Sequence, residues 1–222
     1  MIQLKVCGMK FPDNIREVAK LQPDYLGFIL YEGSARFFKT AIPDIGAGIK
    51  TTGVFVNASL EKILEKVFEY DLKAVQLHGD ENPAFCRELR QRLIRDTGRS
   101  HEILKVFSVD DGFDLKELQP YEGSVDHFLF DTRGKERGGN GILFNWDLLL
   151  AYDSPTPFFL SGGIGLTETE EIKKFIDILQ QKGKARLLHG IDINSRFESE
   201  PGRKRVEDIK AFKEELSEKL RS

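Results

Sequence analysis

Apolar and polar residues alternate from the second position of the chain. Ile2, Leu4 and Val6 stand against Gln3 and Lys5, the period-two pattern of a strand. Gly8 breaks the pattern, and Pro12-Asp13-Asn14 opens a helix to about residue 21, with Ile15, Val18 and Ala19 on one face. Cys7 therefore stands at the carboxyl end of a first strand. The scheme then recurs. Residues 25–30 form a nearly continuous apolar run, as in a strand buried on both faces. A short helix is expected over 41–49 and a third strand over 53–57; Ser59 then caps a helix over 60–69. Residues 74–79 read as a fourth strand, followed by a helix over 82–96 with Pro83 in its first turn.

The second half continues in the same way. Strand five is expected over 103–107, a short helix over 114–119, and strand six over 125–131, ending on Asp131. The glycine-rich loop 138–141 leads to a helix around Trp146. Strand seven spans 157–161 and ends at Gly162-Gly163. A helix over 167–181 opens with Thr167 and Glu170 spaced as a capping box. Strand eight is expected over 185–190 and a last helix over 205–220. Strands alternating with helices imply right-handed crossovers and a parallel sheet. Eight such units without a linker favour closure into one α/β domain over residues 1–222, a single (β/α)8 barrel, over an open doubly wound sheet.

Composition narrows the function classes. Hydrophobic residues make up 40% of the 222 positions, enough for a large core. Lys plus Arg number 33 against 36 Asp plus Glu, so no general attraction to nucleic acid or anionic membranes is expected. The two cysteines, Cys7 and Cys86, match neither a disulfide framework nor a metal-site spacing. No apolar run reaches the length of a membrane span, and the first residues lack a signal-peptide core. The expectation is a cytoplasmic protein with no nucleic-acid or membrane partner.

In a barrel the loops that follow the strands share one face, so distant residues meet there. Cys7, Arg36, His78, Asp131, Gly162-Gly163 and Gly190-Ile191-Asp192 all fall at that rim. The glycine-rich ends of strands seven and eight, each followed by a helix start, have the character of a phosphate cradle. Asp131, directly after Phe128-Leu129-Phe130, must be paired or functional if it points into the barrel mouth. Cys7 reads equally as a small buried hydrophobe, Arg36 as a surface arginine, and His78 as a hydrogen-bonded strand end. Cys86 falls inside a helix and reads as structural. The loop 138–141 lacks the Lys-Ser/Thr of a P-loop.

Taken together, these segments resemble the phosphoribosylanthranilate isomerase family. The resemblance runs through Lys5-Val6-Cys7-Gly8-Met9, Ser34-Ala35-Arg36, Gly53-Val54-Phe55-Val56-Asn57 and Val75-Gln76-Leu77-His78-Gly79. It continues through Phe130-Asp131, Leu160-Ser161-Gly162-Gly163-Ile164 and Gly190-Ile191-Asp192 to Pro201-Gly202, covering the chain in order. The resemblance implies a cofactor-free (β/α)8 enzyme of tryptophan biosynthesis. It would convert N-(5-phosphoribosyl)anthranilate to its 1-deoxyribulose isomer by an Amadori rearrangement. It implies Cys7 as general base, Asp131 as general acid and Arg36 as the anchor of the anthranilate carboxylate. Gly162, Gly163, Gly190, Asp192 and Ser195 would then surround the phosphorylated substrate, and no metal is implied. The chain departs from the family pattern at Ala35, Asn140 and Arg196; at Arg196 the family usually has glycine in the eighth loop.

Two other readings remain at this stage. An indole-glycerol-phosphate synthase would require a strand-end lysine; Lys5 is expected to face away from the site, while Lys105 is a candidate. A sugar-phosphate epimerase would require metal ligands, for which His78 and Asp131 are too few. A catalytically inactive binding barrel would have no need of both Cys7 and Asp131. Nothing in the sequence separates a monomer from a homodimer.

Overall fold

The computed structural model describes residues 2–132 and 145–219. The glycine-rich loop 138–141 lies outside them. Eight parallel strands close into a barrel in sequence order: β1 (Gln3–Val6), β2 (Tyr25–Ile29), β3 (Lys50–Phe55), β4 (Ala74–Leu77), β5 (Glu102–Val109), β6 (His127–Thr132), β7 (Phe158–Leu160) and β8 (Leu188–Ile193). β1 pairs with both β2 and β8, which closes the ring. Among the described residues five α-helices pack outside: α1 (Pro12–Lys20), α2 (Leu60–Tyr70), α3 (Pro83–Thr97), α4 (Thr169–Gln181) and α5 (Val206–Lys219).

Amphipathic patterning accounts for the layers. The outward residues of the strands and the apolar faces of the helices form one core, including Val6, Phe28, Val75, Ile103 and Phe128. A separate cluster of Tyr25, Ala74, Leu104, Val106, Leu129 and Phe159 fills the barrel interior, so the barrel is a packed core with its chemistry confined to the ends. At the end away from the strand carboxyl termini lies a polar group. Tyr25 Oη donates to Glu102 at 2.8 Å, Lys50 pairs with Glu102 at 2.5 Å, and the rings of His127 and His189 lie with centroids 3.9 Å apart, tilted by 31°.

Several expected elements differ. Residues 41–49 are not helical, and β3 begins at Lys50. Pro43, Gly46 and Gly48 disfavour a helix there, and only a turn forms, at residues 47–48. The expected helices after β5 and before β7 are 3₁₀ turns, Leu115–Tyr121 and Trp146–Ala151; Pro120 lies near the end of the first. The eighth strand starts three residues later than its apolar run suggests, because Ala185–Leu187 forms a 3₁₀ turn. The expected capping pair is also displaced. Glu168 accepts from the Gly165 backbone N–H at 2.7 Å, whereas the Thr167 hydroxyl turns to Glu168. A small hairpin, β9 (Glu198–Glu200) and β10 (Arg203–Lys204), follows β8 before α5.

Candidate active site

At the carboxyl ends of the strands a cavity of about 470 Å³ opens over the barrel. Cys7, Arg36, Asp131, Gly162-Gly163, Asp192 and Ser195 all line it. Seven of the eight sequence candidates thus meet in one place, from β1, β6, β8 and the loops after β2, β7 and β8.

Gly190 is the exception. It lies lower in β8, paired with Gln3. A methyl group there would come 2.6 Å from the Phe159 ring and 2.7 Å from the Gln3 carbonyl. The interior ring of Phe159 occupies the space a side chain would need, so packing is enough to account for a glycine here.

Cys7 caps β1, and its N–H donates to the Ile193 carbonyl at 2.9 Å. Gly27 on the neighbouring strand leaves room for the thiol; a Cβ there would stand 2.8 Å from Sγ. The side chain is buried except where it meets the cavity. Burial pushes the thiol pKa up; the Asp192 carboxylate adds to this, while Lys5 and Lys204 pull it down.

Lys5 corrects an expectation. It does not face away from the site: the outward face of β1 carries the apolar residues, so Gln3, Lys5 and Cys7 all point inside. Lys5 is fully buried, and its ammonium lies 2.8 Å from Asp192, its register partner on β8. Burial works against that charge, but Asp192 and Cys7 together hold the lysine pKa above its ordinary value. The Asp192 carboxyl is pushed up by burial and held down by Lys5, Lys204 and a hydrogen bond from Ser161. Lys105, the alternative lysine, sits behind β4 and β5. There it pairs with Glu81 at 3.1 Å and donates to the Gly79 carbonyl at 2.7 Å, away from the cavity.

Asp131 is the penultimate residue of β6, with Oδ1 accepting from the Thr132 N–H at 3.0 Å. Burial, with the Asp192 carboxylate adding to it, pushes its pKa up to about 7. A neutral carboxylic acid is therefore well populated near neutral pH. His78, read from sequence as a simple strand end, also lines the cavity, with Nε2 3.7 Å from Asp131 Oδ2. Only strand order in space brings the two together.

Arg36 approaches from the loop after β2. Its Nε and Nη2 edge is bound to Glu198, with Nη2–Oε2 at 2.7 Å. Glu198 in turn accepts from the Lys204 ammonium at 2.6 Å and the Gly202 N–H at 3.1 Å. Burial alone would raise the Glu198 pKa, but Arg36 and Lys204 bring it below the usual carboxylate range. Arg36 itself lines the cavity. Glu198, Lys204 and Lys5 were not among the sequence candidates.

Across the cavity, Gly162 and Gly163 follow β7 with φ of +86° and +67°. Both values lie in the left-handed region, which glycine adopts without strain. Ser195 faces them from the eighth loop. Arg196 is exposed, and its Cβ and Cγ lie alongside Gly165. Among the described residues, no group of three or more His, Cys, Asp or Glu side chains is placed to hold a metal ion, and no helix is long and apolar enough to cross a membrane.

Comparison with known proteins agrees with this architecture. The family described as N-(5'phosphoribosyl)anthranilate (PRA) isomerase matches residues 4–215. The N-(5'-phosphoribosyl)anthranilate isomerase of Parabacteroides distasonis is 40% identical over 219 residues, covering 96% of this chain and 92% of that protein. The enzyme of the same name from Phocaeicola vulgatus is 38% identical, with 98% of each covered. Among solved structures, phosphoribosyl anthranilate isomerase from Thermotoga maritima superposes with a TM-score of 0.79 at 29% identity, covering 98% of this chain and 100% of that one. A phosphoribosyl anthranilate isomerase in complex with reduced 1-(o-carboxyphenylamino)-1-deoxyribulose 5-phosphate superposes with a TM-score of 0.77 at 26% identity, with the same coverage.

Proposed function

The chain belongs to the phosphoribosylanthranilate isomerase family, enzymes of tryptophan biosynthesis, and we propose that its cavity carries out an Amadori rearrangement with Asp131 as general acid and Cys7 as general base. The substrate is N-(5-phosphoribosyl)anthranilate, and the product is 1-(2-carboxyphenylamino)-1-deoxyribulose 5-phosphate. The observation that carries the reading is a buried carboxyl with a pKa near 7 sharing one cavity with a buried thiol that is in no disulfide. The related protein solved with a reduced deoxyribulose phosphate supports the same ligand class.

The chemistry assigns each group a task. Asp131 gives its proton to the furanose ring oxygen as the C1–O bond breaks. The nitrogen lone pair moves into the C1–N bond and forms a protonated Schiff base. Cys7, as thiolate, takes the proton from C2; the C–H electrons form the C1–C2 double bond of an enolamine and neutralise the nitrogen. Tautomerisation then moves the hydroxyl proton from O2 to C1 and leaves a ketone at C2. Only protons move, so the residues of this chain suffice. The acid must arrive protonated, which the raised Asp131 pKa favours.

Binding follows the distribution of charge. Arg36 Nη1 holds the anthranilate carboxylate, with the rest of the guanidinium fixed by Glu198. The N–H groups around Gly162-Gly163, with Ser195 opposite, hold the phosphate. Asp192 borders the sugar. The same reading takes residues 1–222 as one barrel domain working in the cytoplasm as a monomer or homodimer. Anthranilate fluorescence tests the reaction: purified protein should quench the signal of freshly made phosphoribosylanthranilate, and an unchanged signal would refute it.

A further inference from the structure

We propose that Lys5 is a positioning residue for the reaction, its buried ammonium supporting the thiolate form of Cys7 from directly beneath it. This rests on the reading of Cys7 as the base. The two residues are two apart on β1, so strand alternation sets both on the barrel's inner face. The lysine ammonium lies 2.8 Å from the Asp192 carboxylate, which lines the same cavity as Cys7.

Burial makes this arrangement informative. Lys5 is wholly excluded from solvent, and an ammonium is retained in such a place only with anionic partners. One permanent partner is present, Asp192 at 2.8 Å. An ammonium has three donors, and next to it on the inner face of β1 stands a thiol that must become an anion for catalysis. Lys5 thus bridges a resident carboxylate and a transient thiolate. When Cys7 loses its proton, the new negative charge arises beside a cation already in place, and the ammonium then faces two anions.

The groups facing Cys7 differ in sign and come from different elements. Lys5 approaches from β1, Asp192 from β8 and Lys204 from the hairpin after it, while Asp131 and Arg36 border the same cavity. Gly27 on β2 presents no side chain. Lys5 and Asp192 therefore act on the thiol in opposite senses: the first favours the anion and the second opposes it. A lysine serving only as structural counter-ion to Asp192 would show no such opposition.

The test uses a Cys86→Ala background, in which Cys7 is the sole thiol, and follows iodoacetamide alkylation against pH without substrate. Lys5→Gln should move the alkylation midpoint up by about one pH unit or more, and Asp192→Asn should move it down. Because Lys5→Gln leaves Asp192 buried without its counter-ion and can fail to fold, the double variant Lys5→Gln/Asp192→Asn gives a second comparison. Its midpoint should lie above that of Asp192→Asn alone. Equal midpoints in that pair, or shifts of the same sign in the two single variants, would overturn the proposal. The assay contains no substrate, so its outcome is separate from the base assignment, which would fail instead through an active Cys7→Ala enzyme.

Discussion

Glu198 grips Arg36 edge-on: the arginine Nε lies 3.0 Å from both carboxylate oxygens, and Nη2 lies 2.7 Å from Oε2. The two residues come from loops 162 positions apart, after β2 and after β8. A long, mobile side chain is thereby fixed before substrate arrives, which lowers the entropy cost of binding. Replacing Glu198 by Gln retains an acceptor but loses the paired charges. The expected outcome is a Michaelis constant raised roughly tenfold with turnover within about threefold, because the contact serves ground state and transition state alike. Steady-state kinetics check this; an unchanged Michaelis constant would show that Arg36 needs no such support.

The pH–rate profile follows from the two shifted groups. The productive arrangement has Asp131 protonated and Cys7 ionised, yet Asp131 titrates near 7 and burial raises the thiol above its ordinary value. The singly protonated pair therefore accumulates between these values, and a fixed minor share of it carries the proton on Asp131. The value of kcat/KM should rise with pH through about 7 and fall only on the alkaline side of the thiol pKa. A profile that falls as pH rises through 7 would instead mean that the thiol is the stronger acid of the two.

Much of this arrangement was legible in the chain. The alternation of Ile2, Leu4 and Val6, and its recurrence, was enough to assign eight parallel strands and one rim. Cys7 and Asp131 stood out because each ends a strand. Lys5 was misjudged because a charged residue at a polar position ordinarily faces water, whereas in a closed barrel it faces the interior. The start of β8 was placed early because Ala185-Arg186-Leu187-Leu188 has the apolarity of a strand, although its first three residues form a turn. Glu198 and Lys204 had no local signature; their partners lie on other loops and are defined only once the barrel closes.

The neighbouring histidines at the opposite end make a claim about stability. Burial, with His189 adding to it, lowers the His127 pKa from 6.5 to about 4. The folded state thus rejects a proton that the unfolded chain accepts. Stability from this group is complete above about 6.5 and is lost as pH falls toward 4. Asp131 titrates in the opposite sense over the same range, so the readout is a difference. Between pH 7 and pH 5 wild type should lose about 2 kcal/mol relative to His127→Leu. Urea unfolding of both proteins at the two pH values checks it, and parallel stability curves would contradict it.

Gly190 separates packing from binding. An alanine there must displace the Phe159 ring and meets the Gln3 carbonyl, which cannot yield without moving β1. Gly190→Ala should cost ~1–3 kcal/mol of stability. At temperatures where the variant stays folded, its Michaelis constant should equal that of wild type. Thermal melts with parallel kinetics measure both, and a raised Michaelis constant at unchanged stability would return Gly190 to the substrate site.

The central claim is that Asp131 and Cys7 are the acid and base of one rearrangement, and turnover in Asp131→Asn and Cys7→Ala tests it most directly. Neither change adds volume, and both proteins should fold, as circular dichroism can verify. Followed by anthranilate fluorescence at saturating substrate, each should turn over on the order of a hundredfold to ten-thousandfold more slowly than wild type. Near wild-type turnover in either folded variant would contradict the account.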